Sequence, residues 1–166
     1  SAIRRRHQDY NRLGKKNKKL VLSREGAYHG STHLAMAMTT PAYAEGWDKA
    51  DGLVRHLKCP HFWRHGNGMT EAQYMDYLLE DAKSHIETLG SENIACFIAE
   101  PIQGAGGLIV PPEGYHVKMG ELCKEYDIKY ITYEVVTAFG RLGHIFASKD
   151  VLGVQTDIIT TAKCLT

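Results

Sequence analysis

Apolar residues along the chain fall into short unbroken runs that alternate with longer one-faced stripes. Leu20-Val21-Leu22 and Ile94-Ala95-Cys96-Phe97-Ile98-Ala99 are continuous apolar runs, the form taken by strands buried on both faces of a parallel sheet. Ile128 to Thr132 and Asp157 to Thr161 predict two further strands. Thr70 and Gln73 have capping-box spacing, and Met75, Leu78, Leu79, Ala82, Ile86 and Leu89 then fall on one helical face before Gly90. Tyr115, Met119, Leu122, Cys123 and Tyr126 form the stripe of a second helix, from about Gly114 to Tyr126. Ile3 to Leu13 suits a helix that ends at Gly14. Shorter helices are expected from the turn Tyr28-His29-Gly30-Ser31-Thr32 through about Met38, and near Phe146 to Leu152. Thr40 to Gly68 has no stable period, yet Trp47, Phe62 and Trp63 make it too apolar for a linker, which predicts a packed excursion.

Strands separated by helices of this length imply right-handed crossovers and a largely parallel, doubly wound sheet, so the fold class is α/β. Ligands of such sheets bind beyond the carboxyl ends of the strands. Glu100, Tyr133-Glu134 and Lys163 each follow a predicted strand directly, so three separate segments deliver polar side chains to one edge. Lys163 is flanked by Ala162, Cys164 and Leu165. That setting predicts a desolvated stem, and burial favours the uncharged amine that condenses with a carbonyl cofactor. Pro101 holds Glu100 in an extended conformation.

Composition narrows the partners. In 166 residues, 20 Lys and Arg stand against 19 Asp and Glu for a formal charge of +1, which supplies no basic field for nucleic acid or an acidic membrane. No apolar stretch approaches the ~20 residues of a membrane span and nothing at Ser1 resembles a signal peptide, so the chain reads as soluble, intracellular and cytoplasmic. Cys59, Cys96, Cys123 and Cys164 are widely spaced without a Cys-x-x-Cys pair, which predicts reduced, mostly structural thiols. Lys15 to Lys19 reads as a solvated loop. His29/His33 and His61/His65 have the four-residue spacing of some metal ligands but no HExxH character, and no metal site is expected. Gly104-Ala105-Gly106-Gly107 lacks the spacing of a dinucleotide fingerprint. The chain has no initiator Met and stops at Thr166 without a polar tail, so it is expected to be a piece of something longer.

Several separated motifs then resemble one family. Ala99-Glu100-Pro101-Ile102-Gln103-Gly104-Ala105-Gly106-Gly107, Pro111-Pro112-Glu113-Gly114-Tyr115, Glu134-Val135-Val136-Thr137-Ala138-Phe139-Gly140-Arg141, Asp157-Ile158-Ile159-Thr160-Thr161-Ala162-Lys163 and Tyr28-His29-Gly30-Ser31-Thr32 are similar to those of class III pyridoxal-phosphate aminotransferases. Arg141-Leu142-Gly143-His144 and Phe62-Trp63-Arg64 are most similar to the ω-amino-acid:pyruvate transaminases. The resemblance implies the three-layer, largely parallel sheet of the fold-type I large domain, truncated at both ends. It implies that the phosphate-binding loop precedes Ser1, that a small domain follows Thr166, and that the full-length parent is a homodimer. It further implies that Lys163 holds pyridoxal 5'-phosphate as a Schiff base and shuttles the reacting proton. Tyr28 would stack on the pyridine ring with His29 and Gly30 shaping its turn, Val135 would pack on the opposite face, and Glu100 would order the polar network. The implied reaction moves an amino group from an ω-amino acid or amine to pyruvate or another 2-oxo acid.

Three positions depart from the pattern. Tyr133 stands where the resemblance implies the Asp that pairs with the ring nitrogen, Cys164 where Gly follows the lysine, and Thr156 where Pro precedes Asp157. A phenol with a pKa of ~10 supplies no anion at neutral pH, so activity is expected to fall by at least ~10²-fold. A second reading therefore stays open, a non-catalytic homologue that keeps the fold as a binding or dimerisation module.

Overall fold

The computed structural model describes residues 1–165 as a five-stranded sheet between two layers of helices. In chain order the elements are α1 (Ala2–Arg12), β1 (Leu20–Arg24), α2 (His33–Met38), β2 (Val54–Leu57), α3 (Phe62–His65), α4 (Glu71–Leu89), β3 (Ile94–Ala99), α5 (Tyr115–Glu125), β4 (Lys129–Tyr133), α6 (Ala147–Asp150) and β5 (Ile158–Thr160). Every strand pairing is parallel and the spatial order is β2-β1-β3-β4-β5. The sheet therefore grows one way from β1 to β2 and the other way from β3 to β5. The reversal lies between β1 and β3, where doubly wound folds open their ligand crevice.

Two apolar clusters explain the layers. Leu22, Phe97 and Tyr130 point to one face and pack under Tyr74, Leu78, Ala82 and Ile86 of α4 and Tyr115, Met119 and Cys123 of α5. Val21, Cys96, Ile98 and Ile131 point to the other face, under Ile3 and Tyr10 of α1 and Met38 of α2. β3 is buried at every position, as a continuous apolar run requires between two helical layers. Thr70 and Gln73 form the reciprocal capping box that starts α4, with the Thr70 hydroxyl accepting from the Gln73 N–H at 3.2 Å and the Gln73 side chain accepting from the Thr70 N–H at 2.8 Å.

Three expectations are corrected. The segment from Thr40 to Gly68 contains a strand, β2, that has no continuous apolar run because only Leu57 of its four residues is fully buried at the sheet edge. Its tryptophans do not pack inward: Trp47 is 58% and Trp63 90% exposed. The Lys15 to Lys19 run is not wholly solvated either. Lys18 is buried, its ammonium 5.4 Å from the centre of the Tyr10 ring and 3.4 Å from the Asp127 carboxylate, so a cation–π contact and an ion pair replace water.

Candidate active site

Buried strands deliver their last residues to the carboxyl edge, and there β1, β3, β4 and β5 bring together the polar residues that follow them. Glu100, directly after β3, is buried. One carboxylate oxygen accepts the Tyr28 N–H at 3.0 Å and the other accepts the Gly104 N–H at 3.0 Å. A single side chain thus fastens the Tyr28 turn to the glycine loop. Burial raises the Glu100 pKa, opposed by the two backbone bonds and by the positive charges of Arg24 and Lys163. The backbone carbonyl of Glu100 accepts from the Arg24 guanidinium at 2.6 Å across the reversal point of the sheet. Gln103 adds a second stitch, donating to the Glu25 carbonyl at 2.9 Å.

Tyr28 is partly exposed at the mouth of this edge. Gly30 has φ +110°, a backbone conformation that side-chain-bearing residues rarely adopt, and it turns the chain toward α2. The His29 N–H is held by the Thr39 hydroxyl at 3.0 Å, while its buried imidazole lies edge-on to the Tyr133 ring with centroids 4.8 Å apart. Burial, with the charges of Arg24 and His56, lowers the His29 pKa to about 3. Tyr133 ends β4 opposite Thr160 of β5 and is half-buried on the α1 and α2 face. Burial raises the pKa of its phenol, and the negative charge of Glu100 raises it further, so it is neutral at physiological pH. Val135 is half-buried two residues on.

Lys163 follows β5 by three residues, at the carboxyl edge of the sheet. Its stem is not desolvated as its apolar neighbours in sequence suggested. Lys163 is exposed because Ala162, Cys164 and Leu165 beside it are exposed as well. Glu134, grouped by sequence with Tyr133, does not face the edge. Its fully buried carboxylate accepts the N–H groups of Ala147 at 2.6 Å and Ser148 at 3.0 Å and so caps α6. Thr156 bonds the Thr132 hydroxyl at 3.1 Å, and Cys164 sits at φ +70°.

Sequence reasoning missed Arg24, Thr39 and His116. His116 is buried beneath the edge, bonding the Tyr130 hydroxyl at 2.6 Å and the Pro101 carbonyl at 3.0 Å. Arg24 carried a usable signal, since it follows an apolar run just as Glu100 does. The rings of His61 and His65 meet edge-to-face with centroids 6.1 Å apart.

The arrangement matches known proteins throughout. The family profile described as aminotransferase class III matches residues 1–166. The chain belongs to the class III aminotransferases. It is 44% identical to gamma aminobutyrate transaminase 1, mitochondrial, of Solanum lycopersicum over 93% of its own length and 30% of that enzyme's. Among solved structures it superposes on a thermostable (S)-enantioselective omega-transaminase from Thermomicrobium roseum with a TM-score of 0.93 and 40% identity, covering 98% of this chain and 36% of that one. An omega-transferase from Vibrio fluvialis gives a TM-score of 0.93 at 34% identity, with 98% and 38% coverage. The chain therefore spans about a third of the length of these aminotransferases. No helix among the described residues is long and apolar enough to cross a membrane.

The family's cofactor can be tested against the residues present. A primary amine at Lys163, an aromatic face at Tyr28 and an aliphatic one at Val135 suit the aldehyde end and the two faces of a pyridoxal ring. The ring-nitrogen end does not fit. Tyr133, the residue expected at that end, offers a neutral phenol and no carboxylate.

Proposed function

We propose that the full-length protein is a pyridoxal-phosphate-dependent transaminase acting between an ω-amino acid or amine and pyruvate or another 2-oxo acid, and that Tyr133 holds its activity far below that of its relatives. The observation that carries this reading is the edge itself. Glu100, Tyr133 and Lys163 leave three neighbouring parallel strands beside the Tyr28 turn, at the crevice of a class III fold. Residues 1–166 would then be part of the cofactor-binding large domain, with the phosphate loop, the small domain and the partner of a homodimer supplied by the rest of the protein.

Pyridoxal phosphate, when bound, supplies an electron sink that makes the substrate's α-hydrogen acidic. The chain's own residues would do the rest. Lys163 would hold the cofactor covalently and carry the proton. Tyr28 and Val135 would sandwich the ring. Glu100 would fix the Tyr28 turn by its backbone bond without touching the reacting atoms. Tyr133 supplies no anion for a protonated ring nitrogen, a charge-assisted bond worth roughly 1.5–3 kcal/mol. Its added bulk costs about 1–3 kcal/mol where a ring must fit.

The ω-amino substrate class follows the gamma-aminobutyrate and omega-transaminase names of the relatives. The proposed location is cytoplasmic, and cell fractionation separates it from the mitochondrion named for the Solanum relative. The test is borohydride reduction of the full-length protein mixed with pyridoxal phosphate, followed by peptide mass mapping. Selective labelling of Lys163 is expected. Labelling spread over surface lysines, or none, would overturn the cofactor assignment and leave a binding module as the reading.

A further inference from the structure

Arg24, the last residue of β1, is fully buried. One guanidinium nitrogen donates to the Glu100 carbonyl at 2.6 Å, and the guanidinium carbon stands 5.7 Å from the centre of the Tyr115 ring. Nε and Nη1 have no hydrogen-bond partner among the described residues. An arginine does not shed its charge on burial as a lysine or histidine does, so a cation stands in the core. Such a charge is tolerated where an opposite one compensates it. Two carboxylates are buried among the described residues, Glu100 and Glu134. Glu134 is committed to the N–H groups of α6. The one joined to Arg24 is Glu100.

Glu100 needs the cation in turn. Its two carboxylate oxygens accept the N–H groups of Tyr28 and Gly104, and a protonated carboxyl turns one of these acceptors into an O–H donor. The Tyr28 turn and the glycine loop are therefore clasped by both bonds only while Glu100 is ionised, against a burial that favours the neutral form. Arg24 opposes that burial from inside the core. The other cation whose charge bears on Glu100 is Lys163, which is exposed and screened by water. The Tyr133 phenol at the end of β4 is neutral, as is the His116 imidazole of α5 that holds the Pro101 carbonyl next in the chain.

We propose that Arg24 is a positioning residue for this crevice, which holds Glu100 by its backbone and serves as the counter-charge that keeps the carboxylate ionised and the Tyr28 turn clasped to the glycine loop. Fully buried, it touches neither cofactor nor substrate. This deepens the proposed function and rests on it only in taking the edge as a cofactor crevice, and the pairing itself is read without cofactor.

The test follows the Glu100 carboxyl by carbon-detected NMR across pH in the full-length natural protein and in Arg24→Met and Arg24→Gln, all free of pyridoxal phosphate. Both variants remove the charge, and Arg24→Gln keeps a donor for the Glu100 carbonyl. In both, Glu100 is expected to titrate at least about half a pH unit higher, roughly a threefold change in its acid constant. A role confined to packing would loosen the site and hydrate Glu100 instead. A titration that stays in place or moves down in either variant would therefore overturn the proposal. Should neither variant fold, the Arg24 Nε–H resonance of the natural protein decides it. That resonance is expected to shift with the Glu100 midpoint, and one that passes through the midpoint unmoved would sink the idea. An upward Glu100 shift together with no cofactor capture at Lys163 would reject the proposed function and leave this inference standing.

Discussion

Cys164 carries a side chain where the backbone has φ +70°. A left-handed residue other than glycine costs roughly 1 kcal/mol, because its Cβ crowds the following carbonyl. The glycine expected after the lysine has this conformational reason, and the strain sits next to Lys163. Cys164→Gly is therefore expected to slow amide exchange over residues 161–165 several-fold, while Cys164→Ala leaves it unchanged. Equal exchange in both variants would show that the backbone there carries no strain. The site was legible at this scale wherever a polar residue follows an apolar run, as at Glu100 and Lys163. The exposure of Lys163 was not legible. Apolar neighbours in sequence suggest burial, but beyond the end of a strand nothing in the local sequence says what covers them. His116 was hidden for the opposite reason, since its burial is bought by Tyr130 and Pro101, far from it in the chain.

At the level of elements, the glycine loop after β3 is welded to the turn after β1. A Cβ on Gly106 would stand 2.3 Å from the Gly26 carbonyl oxygen, a backbone atom that cannot swing aside. Gly106→Ala must then push the loop away from the Tyr28 turn. It is expected to destabilise by about 1–3 kcal/mol, read as a lower urea midpoint, and to loosen the bond from Glu100 to Gly104. Glu134→Ala strips the cap from α6 and leaves two buried N–H groups unpaired, for an expected loss of roughly 2–4 kcal/mol. A thermal midpoint within a degree of the parent would contradict the capping role. α4 and β3 were readable because a capping box and an unbroken apolar run are local signals. β2 was not, because Val54-Arg55-His56-Leu57 lies at the edge of the sheet, where half-buried positions accept polar residues.

At the scale of the whole molecule, two imidazoles among the described residues, His29 and His116, are buried in the neutral state. Burial, with the Arg24 charge, lowers His29 and His116 from the ordinary 6.5 to about 3. The unfolded chain binds protons at these groups below about pH 6.5 and the folded chain does not, so stability falls as pH drops from 6.5 toward 3. Each residue contributes on the order of 2 kcal/mol of loss at pH 5. Glu100, with its pKa raised by burial, acts in the opposite sense, favouring the folded state as pH falls through its own range. The urea midpoint is expected to drop between pH 7 and pH 5, and less steeply in His29→Phe. A flat profile would contradict the burial of these two rings in their neutral form.

The family and the layered fold follow from motifs spread over the chain, and relatives about three times as long share both. The proposed function turns on the phenol at the end of β4. The most direct measurement is the single-turnover rate of amino transfer from an ω-amino acid to cofactor-loaded full-length protein, for the natural chain and for Tyr133→Asp. A rate at least ~10²-fold higher in Tyr133→Asp is the expected result. Equal rates, or a faster natural chain, would contradict the account that Tyr133 limits the chemistry of this edge.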